Sequence, residues 1–407
     1  MKKHTTPFVS PRQHFAEWVS PGHPDRLADA IAERIVDHAL SLDPRALVGV
    51  EVAVHTHRVF VDGRVAATGI RAPEAWLKEI VADAYHAAGY RGPWSPTRDE
   101  LRVEHDLCTG DLPDDERLVR GVSDDQSVTL GWAGYDTRTN FLPPAHFVAH
   151  RLGLALSHWR AEHARDDFGP DFKFLPRFSA RDDGHFTWER LTLSIQHRGG
   201  MGYEEQHRRL HAPLQSELAL LERAGLTGLA SSFTPACLDL NGAGAFECGG
   251  PHGDNGLSGK KLVVDHYGPA VPIGGGALCG KDPHKVDRVG ALRARQLAKS
   301  LVPPGGGEAL VRVVWAPGLG VPCHVEAEVH DALGMRVPHS SRDLPSTDWF
   351  AIERAVSELE LAQPIWTGVL KGGTFVDARQ TWERSSLIPR ANAVTPGAAR
   401  RRTHVPQ

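Results

Sequence analysis

The sequence predicts a mixed α/β fold, and three observations carry that expectation. Helix-type and strand-type periodicities alternate along the chain. Its 407 residues are enough for two or three domains and a sizeable core. Hydrophobic residues make up 41% and charged residues 24%, which fits a globular chain rather than a disordered, collagen-like or coiled-coil one.

Each element has its own local signal. Leu27, Ile31, Ile35 and Ala39 recur at helical spacing, and Pro24 stands where a helix would start. Residues 46–54 and 58–65 are Val-rich and bounded by polar residues or glycine, so they read as neighbouring strands. A further helix is expected near 73–87. Residues 110–127 carry Asp111, Asp114, Asp115, Glu116, Asp124 and Asp125 and read as a long exposed loop. Residues 190–196 alternate like a strand, 203–224 read as a charged helix, and the apolar run 262–265 reads as a short strand. Residues 283–302 fit a helix capped by Asp282, with Pro283 in its first turn and Pro303-Pro304-Gly305 after its end. From Ala391 onward, including Arg400-Arg401-Arg402, there is no apolar periodicity, and a mobile tail is expected.

Composition removes several function classes. The formal charge is 46 − 50 = −4, so no bulk basic field exists to hold nucleic acid. No apolar run approaches the roughly 18–20 residues that span a bilayer. The first fifteen residues lack the apolar core of a secretory signal. Five cysteines (Cys108, Cys237, Cys248, Cys279 and Cys323) form no C-x-x-C pair, which argues against a disulfide scaffold or structural zinc. A cytosolic enzyme with reduced thiols is the expectation, with no membrane or nucleic-acid partner.

The chemistry concentrates in two glycine- and lysine-rich stretches. The first runs from Gly249 to Lys261 and includes His252, Asp254 and Lys260. The second runs from Gly274 to Arg288 and includes Lys281, Lys285 and Asp287. Glycines let backbone N–H groups approach an anion, a helix start adds positive potential, and the lysines supply point charges. That combination suggests a polyphosphate site, and Asp287 could hold a divalent cation bridging phosphate oxygens. Gly275–Lys281 mimics seven positions of a P-loop, but Asp282 replaces the Ser or Thr that would bind magnesium. A cluster from Gly22 to Arg26 places His23 at a cap and Asp25 in a first helical turn. The 23 histidines show no zinc-type spacing, and no Gly-x-Ser-x-Gly elbow is present.

Taken together and in order, these segments resemble the S-adenosylmethionine synthase (methionine adenosyltransferase) family over residues 17–366. The stretch Glu17-Trp18-Val19-Ser20-Pro21-Gly22-His23-Pro24-Asp25-Arg26 resembles its opening signature, and Asp125-Gln126 with Gly131 resembles its GDQG segment. Pro143-Pro144-Ala145 with Ala149-His150-Arg151-Leu152, Pro170-Asp171-Phe172-Lys173 and Ser194-Ile195-Gln196-His197 follow in family order. Gly280-Lys281-Asp282-Pro283 and Lys285-Val286-Asp287-Arg288 match best.

The resemblance implies three similar α/β domains with pseudo-threefold symmetry, placed here at 1–112, 113–236 and 237–390, with a tail at 391–407. It implies a homodimer or dimer of dimers with active sites between subunits. The implied reaction joins ATP and methionine by attack of sulfur on C5′, then hydrolyses tripolyphosphate, with Mg2+ and K+. By resemblance, His23 lies near the ribose–triphosphate oxygen, and Lys173, Lys261, Lys281 and Lys285 bind phosphates. Asp25 and Asp287 hold magnesium, and Glu51 matches the potassium-site glutamate. Glu17, Asp125, Asp171, Asp254 and Lys260 fall on the substrate-binding side, and Phe246 stacks on adenine.

The departures fall at the amino-acid end. Arg64 stands where the family has a methionine-contacting glutamate, and the lid glutamine has no clear equivalent near Thr109–Asp111. Family arginines become Ala245 and Lys260, the opening lysine becomes Arg26, and GDQG reads Asp124-Asp125-Gln126-Ser127. Two alternatives to methionine adenosylation follow: adenosylation of another thioether or amino-acid-like substrate, and a catalytically weak nucleotide-binding paralogue that regulates a partner.

Overall fold

The computed structural model describes residues 12–181, 183–338 and 344–384, so the tail expected from Ala391 lies outside the described residues. Two short strands, β1 (Arg12–Phe15) and β2 (Trp18–Val19), precede a pattern that then occurs three times. In its first occurrence α1 (Pro24–Leu42) leads into the hairpin β3 (Leu47–His55) and β4 (Arg58–Ala66), followed by α2 (Pro73–Ala88) and β5 (Arg102–Gly110). After α3 (Asp114–Leu118) and β6 (Ser127–Tyr135), α4 (Pro144–His163) leads into β7 (Phe168–Ala180), β8 (Phe186–His197), α5 (Tyr203–Arg223) and β9 (Leu238–Leu240). After β10 (Gly256–Leu257) and the single turn α6 (Leu262–Asp265), α7 (Val286–Leu301) leads into β11 (Gly307–Trp315), β12 (His324–Asp331) and α8 (Ile352–Glu358), with α9 (Trp366–Gly372) last.

Each occurrence makes one sheet backed by its two helices. The sheets run β10-β3-β4-β5, β1-β7-β8-β9 with β2 also on β7, and β12-β11-β6. In the first two, the strand after the second helix returns parallel to the hairpin, as β5 does on β4 and β9 on β8. In all three, the first hairpin strand also takes an antiparallel neighbour from elsewhere in the chain: β10, β1 and β6. The helix–hairpin–helix stretches follow the sequence, whereas the added strands cross between them and tie the three sheets together.

The periodicities explain the packing. Along α1, Leu27, Ile31 and Ile35 are wholly buried, and they pack on β3, whose Val48, Val50, Val52 and Val54 alternate inward. The opposite face of β3 and β4 is left open, with Glu51, Phe60, Asp62 and Arg64 exposed. Three sequence expectations change. Residues 262–265 form one helical turn, not a strand; a four-residue apolar run carries no usable period, and the strand of this region is β10 just before it. The 283–302 helix begins at Val286 with Lys285 as its N-cap, and Asp282 does not cap it. Asp282 is buried, accepts from the Val48 and His284 amides, both at 2.9 Å, and pairs with the Arg120 guanidinium. The acidic loop is therefore not wholly exposed, because Arg120 is drawn into the interior by that pair.

A second buried charge locks α7 in place. Arg295 donates to both carboxylate oxygens of Glu383, at 2.9 and 3.0 Å, and to the carbonyls of Trp132 and Asn140. Lys299 and Asn140 also reach Glu383. Removing one member strands the others in a water-poor interior. Glu383→Ala should therefore cost about 3–5 kcal/mol in urea-unfolding free energy, while Glu383→Gln, which keeps the shape and one acceptor, should cost less. Equal stability of Glu383→Ala and the parent would contradict this accounting.

Candidate active site

The start of α1 holds the first group of site residues. The chain turns at Ser20, whose carbonyl accepts from the His23 amide and whose hydroxyl bridges the Pro170 carbonyl and the Phe172 amide. Strand β2 pairs with β7 so that Val19 sits opposite Lys173. Tyr90 Oη donates to the Gly22 carbonyl at 2.6 Å, and a Cβ on Gly250 would collide with that same hydroxyl. Gly250 also has φ +62°, so only glycine fits this crossing without strain. Its amide donates to Asp171 at 2.7 Å. These contacts bring the 249–261 loop over the helix start.

His23 is the N-cap of α1, and its Nδ1 accepts from the Asp25 amide at 3.2 Å. The proton of the neutral ring therefore sits on Nε2. Burial lowers the His23 pKa to about 4; Asp25 and Asp254 act the other way, while Lys261 and Lys173 lower it further. Asp25 accepts from the Leu257 amide at 3.0 Å and faces Lys261 at 2.9 Å and Lys260 at 3.6 Å. Burial would raise its carboxyl, but the Leu257 amide and Lys261 outweigh burial and hold it below its ordinary value. Asp171 moves the other way, up to about 6, because burial dominates over the Gly250 amide and Lys173.

The second group lies further along β3. Lys281 forms a bridge to Gly49, the Val50 amide donates to the Gly280 carbonyl at 2.9 Å, and Asp282 is fixed to Val48 as described above. Lys281 Nζ meets Asp287 at 2.5 Å, Ser127 donates to the other Asp287 oxygen at 2.6 Å, and Lys285 pairs with Asp124. Gly276 lies so close to Asp287 that a Cβ there would overlap its carboxylate.

Seven of the expected residues thus gather near the α1 start: His23, Asp25, Lys173, Lys260, Lys261, Asp171 and Asp254. Lys281, Lys285 and Asp287 gather in the second group. No hydrogen bond or ion pair joins the two groups among the described residues. Glu51 stands between them on β3, accepting from Ser258 Oγ at 2.5 Å. Phe246 lies against Gly249, held by an exchange of hydrogen bonds with His197. Glu17 and Asp125 are exposed, and it is Asp124, not Asp125, that meets Lys285. Arg64 is clasped by Glu116 through two bonds, at 2.8 and 2.5 Å, so its charge is already paired.

Sequence reasoning missed Tyr90, Ser127 and Asp29. Asp29 accepts from the Gly259 amide at 2.8 Å and from Arg26 at 3.1 Å, and burial raises its pKa to about 7 against the pull of Arg26. Asp29, Asp265 and Cys279 lie within metal-ligating reach of one another, but Arg26 donates to both carboxylates and fills that role.

The profile described as S-adenosylmethionine synthetase, C-terminal domain, matches residues 248–384, and the N-terminal domain profile matches residues 12–101. A Zymomonas mobilis protein named S-adenosylmethionine synthase is 30% identical over 391 residues, covering 93% of this chain and 97% of its own. The chain belongs to the S-adenosylmethionine synthetase family. A Corynebacterium jeikeium member with the same name is 31% identical over 406 residues, at 93% and 97% coverage. The solved structure of an unusual S-adenosylmethionine synthetase from Campylobacter jejuni shares the fold, with TM-score 0.76 and 24% identity over 92% of this chain and 97% of that one. No helix among the described residues of this family member is long and apolar enough to cross a membrane.

Two kinds of cation suit the family's site, and the residues present fit them. Asp287 offers a carboxylate in a cradle that only glycine at 276 leaves open, and Asp25 offers another among phosphate-type lysines. Glu51 beside Ser258 Oγ is an oxygen-only pair, suited to a hard monovalent ion.

The His23 titration tests the electrostatics of the first group. Its imidazole proton resonances should titrate near pH 4, and Lys261→Gln should move the midpoint upward by removing a cation that disfavours the imidazolium. A midpoint that falls or stays in place would show that Lys261 does not act on His23.

Proposed function

We propose that this protein is an S-adenosylmethionine synthase that joins ATP to methionine in the cytoplasm. The observation that carries the reading is the gathering of Lys173, Lys260 and Lys261 around a neutral His23 at the start of a long helix. This is a site for a highly charged oxyanion next to a neutral hydrogen-bond donor.

The chemistry follows from what the substrates lack. A thioether sulfur has no proton to lose, so its attack on C5′ needs no general base. The C5′–O bond breaks as the S–C5′ bond forms, and the electron pair leaves with the triphosphate. The demands are therefore in-line placement and stabilisation of the leaving oxygen. His23 Nε2–H donates to that oxygen, its orientation fixed by the Asp25 amide on Nδ1. Lys173, Lys260, Lys261, Lys281 and Lys285 hold the phosphates, which then undergo hydrolysis to pyrophosphate and phosphate. Magnesium, held by Asp25 and Asp287, would supply charge neutralisation to the phosphate oxygens, and potassium would rest at Glu51. Phe246 offers a face for adenine, and Glu17, Asp125, Asp171 and Asp254 border the nucleoside and amino-acid part.

The separation of the two lysine groups supports a dimer. We propose that the three α/β units at 1–112, 113–236 and 237–390 act as domains, and that one chain's first group faces its partner's second group. The open face of β3 and β4, which carries exposed Phe60, lies between the two groups and suits a partner copy.

Incubation with ATP, magnesium and potassium, with and without methionine, should give a methionine-dependent sulfonium product by mass spectrometry. ATP binding without that product would sink the reading. Lys281→Met should lower kcat about 10²–10³-fold in a folded protein. Lys261→Met and Lys281→Met proteins, each inactive alone, should recover about a quarter of the parent activity when co-refolded, since a hybrid dimer has one intact site. No recovery despite subunit exchange would place both lysines in the same chain's site.

A further inference from the structure

A cavity lies behind the first lysine group, between α1, α2, α4 and α9. It measures about 210 Å³, and Trp18, Arg26, Arg34, His150, Leu370 and Lys371 are among its walls. No acidic side chain among the described residues lines it. The charges facing it are therefore of one sign.

Two of these cations, Arg34 and Lys371, are not used elsewhere. Neither Arg34 nor Lys371 makes a side-chain hydrogen bond or ion pair among the described residues. Arg34 Nε is shut off from water and has no partner. His150 is only 4% exposed; its Nε2 donates to the Val264 carbonyl at 3.4 Å, so its Nδ1 is an unpartnered acceptor and the ring adds no charge to the cavity. Arg26 makes both of its carboxylate contacts through Nη1, to Asp29 and Asp265, which leaves Nη2 without a hydrogen bond among the described residues. A buried donor left unmade costs about 1–3 kcal/mol, and Arg34 Nε beside the uncommitted Lys371 ammonium points to an acceptor that arrives from outside.

The rest of the wall describes the body of that acceptor. Trp18, Leu370 and the small side chains of Ala84, Ala87 and Ala88 are apolar. Inorganic phosphate would satisfy the cations but leave these walls unfilled. A carboxylate matches the arginine fork, and a compact apolar body matches the remainder. The volume falls below the roughly 300–1,000 Å³ of pockets that take drug-sized ligands, so the body is small.

We propose that this cavity is a binding site for a small carboxylate with an apolar body, distinct from the phosphate-binding lysines. Arg26 forms its inner wall and also holds Asp29, which in turn holds the Gly259 amide next to Lys260 and Lys261. The site therefore lies one side chain away from the turn that carries those lysines.

Calorimetric titration of the full chain tests it with benzoate as the probe and benzamide as its uncharged counterpart. Benzoate should bind saturably, once per chain and at least tenfold tighter than benzamide. Arg34→Gln combined with Lys371→Gln should weaken benzoate at least tenfold. Ala87→Trp, placed at an exposed position of the wall, should block it without touching a charge. Equal binding of benzoate and benzamide would overturn the proposal. Benzoate binding that tripolyphosphate displaces and both variants leave unchanged would also overturn it, by placing the anion among the lysines instead.

Discussion

Buried aspartates clamp the backbone of two glycine-rich loops, and the site depends on that clamp. Asp25 and Asp29, one turn apart on α1, accept from the amides of Leu257 and Gly259. Asp282 accepts from the Val48 amide and so pins the 280–285 turn to β3. Loops this rich in glycine lose much entropy on ordering, and clustered lysines repel one another. A carboxylate on a rigid helix answers both problems at once, because it fixes an N–H and screens an adjacent ammonium. Each of these clamps needs its own counter-charge, since an isolated buried carboxylate is costly. Arg26 serves Asp29, Arg120 serves Asp282, and Lys261 serves Asp25.

The two kinds of clamp differ in what they can release. Arg26 and Arg120 are nearly wholly buried and stay with their partners. Lys261, Lys281 and Lys285 reach their carboxylates on flexible stems with part of each side chain open to solvent. On the proposed function these are the contacts that exchange when a polyphosphate arrives, and the carboxylates they leave are then free for a divalent ion. The arginine pairs hold the scaffold while the lysine pairs turn over.

Much of this order could be read from the sequence where the signal was local. The stripe Leu27, Ile31, Ile35 and Ala39 marks α1, and the Val alternation marks β3 and β4, because each face packs against its neighbour in the chain. His23 and Asp25 stand at the helix start that Pro24 announces. What local signal could not show was long-range pairing. Asp282 looks like a cap beside Pro283, yet its partner Arg120 lies 162 residues away in a loop whose acidic composition reads as exposed. Tyr90 carries no motif at all; it matters because the fold brings Gly22 and Gly250 against one hydroxyl. Arg64 reads as a reversed charge until Glu116, 52 residues on, is seen to clasp it.

Strand β3 sets the spacing of the whole site. The β10 strand registers on it at Ala53 and Val54, while Lys281 bridges it at Gly49. Between them the Ser258 amide and hydroxyl meet the Val52 backbone while the Val50 amide meets the Gly280 carbonyl, so the two loops touch β3 only two residues, about 7 Å, apart. The strand fixes the spacing of the two loops, and no hydrogen bond or ion pair joins their lysine groups among the described residues. Pro24 to Val54 encloses both anchors within one helix–strand unit, so any movement of that unit carries both groups together. On the proposed function the ligand is taken between two chains, each presenting one group across an open sheet face, and that arrangement is what the hybrid-dimer experiment measures.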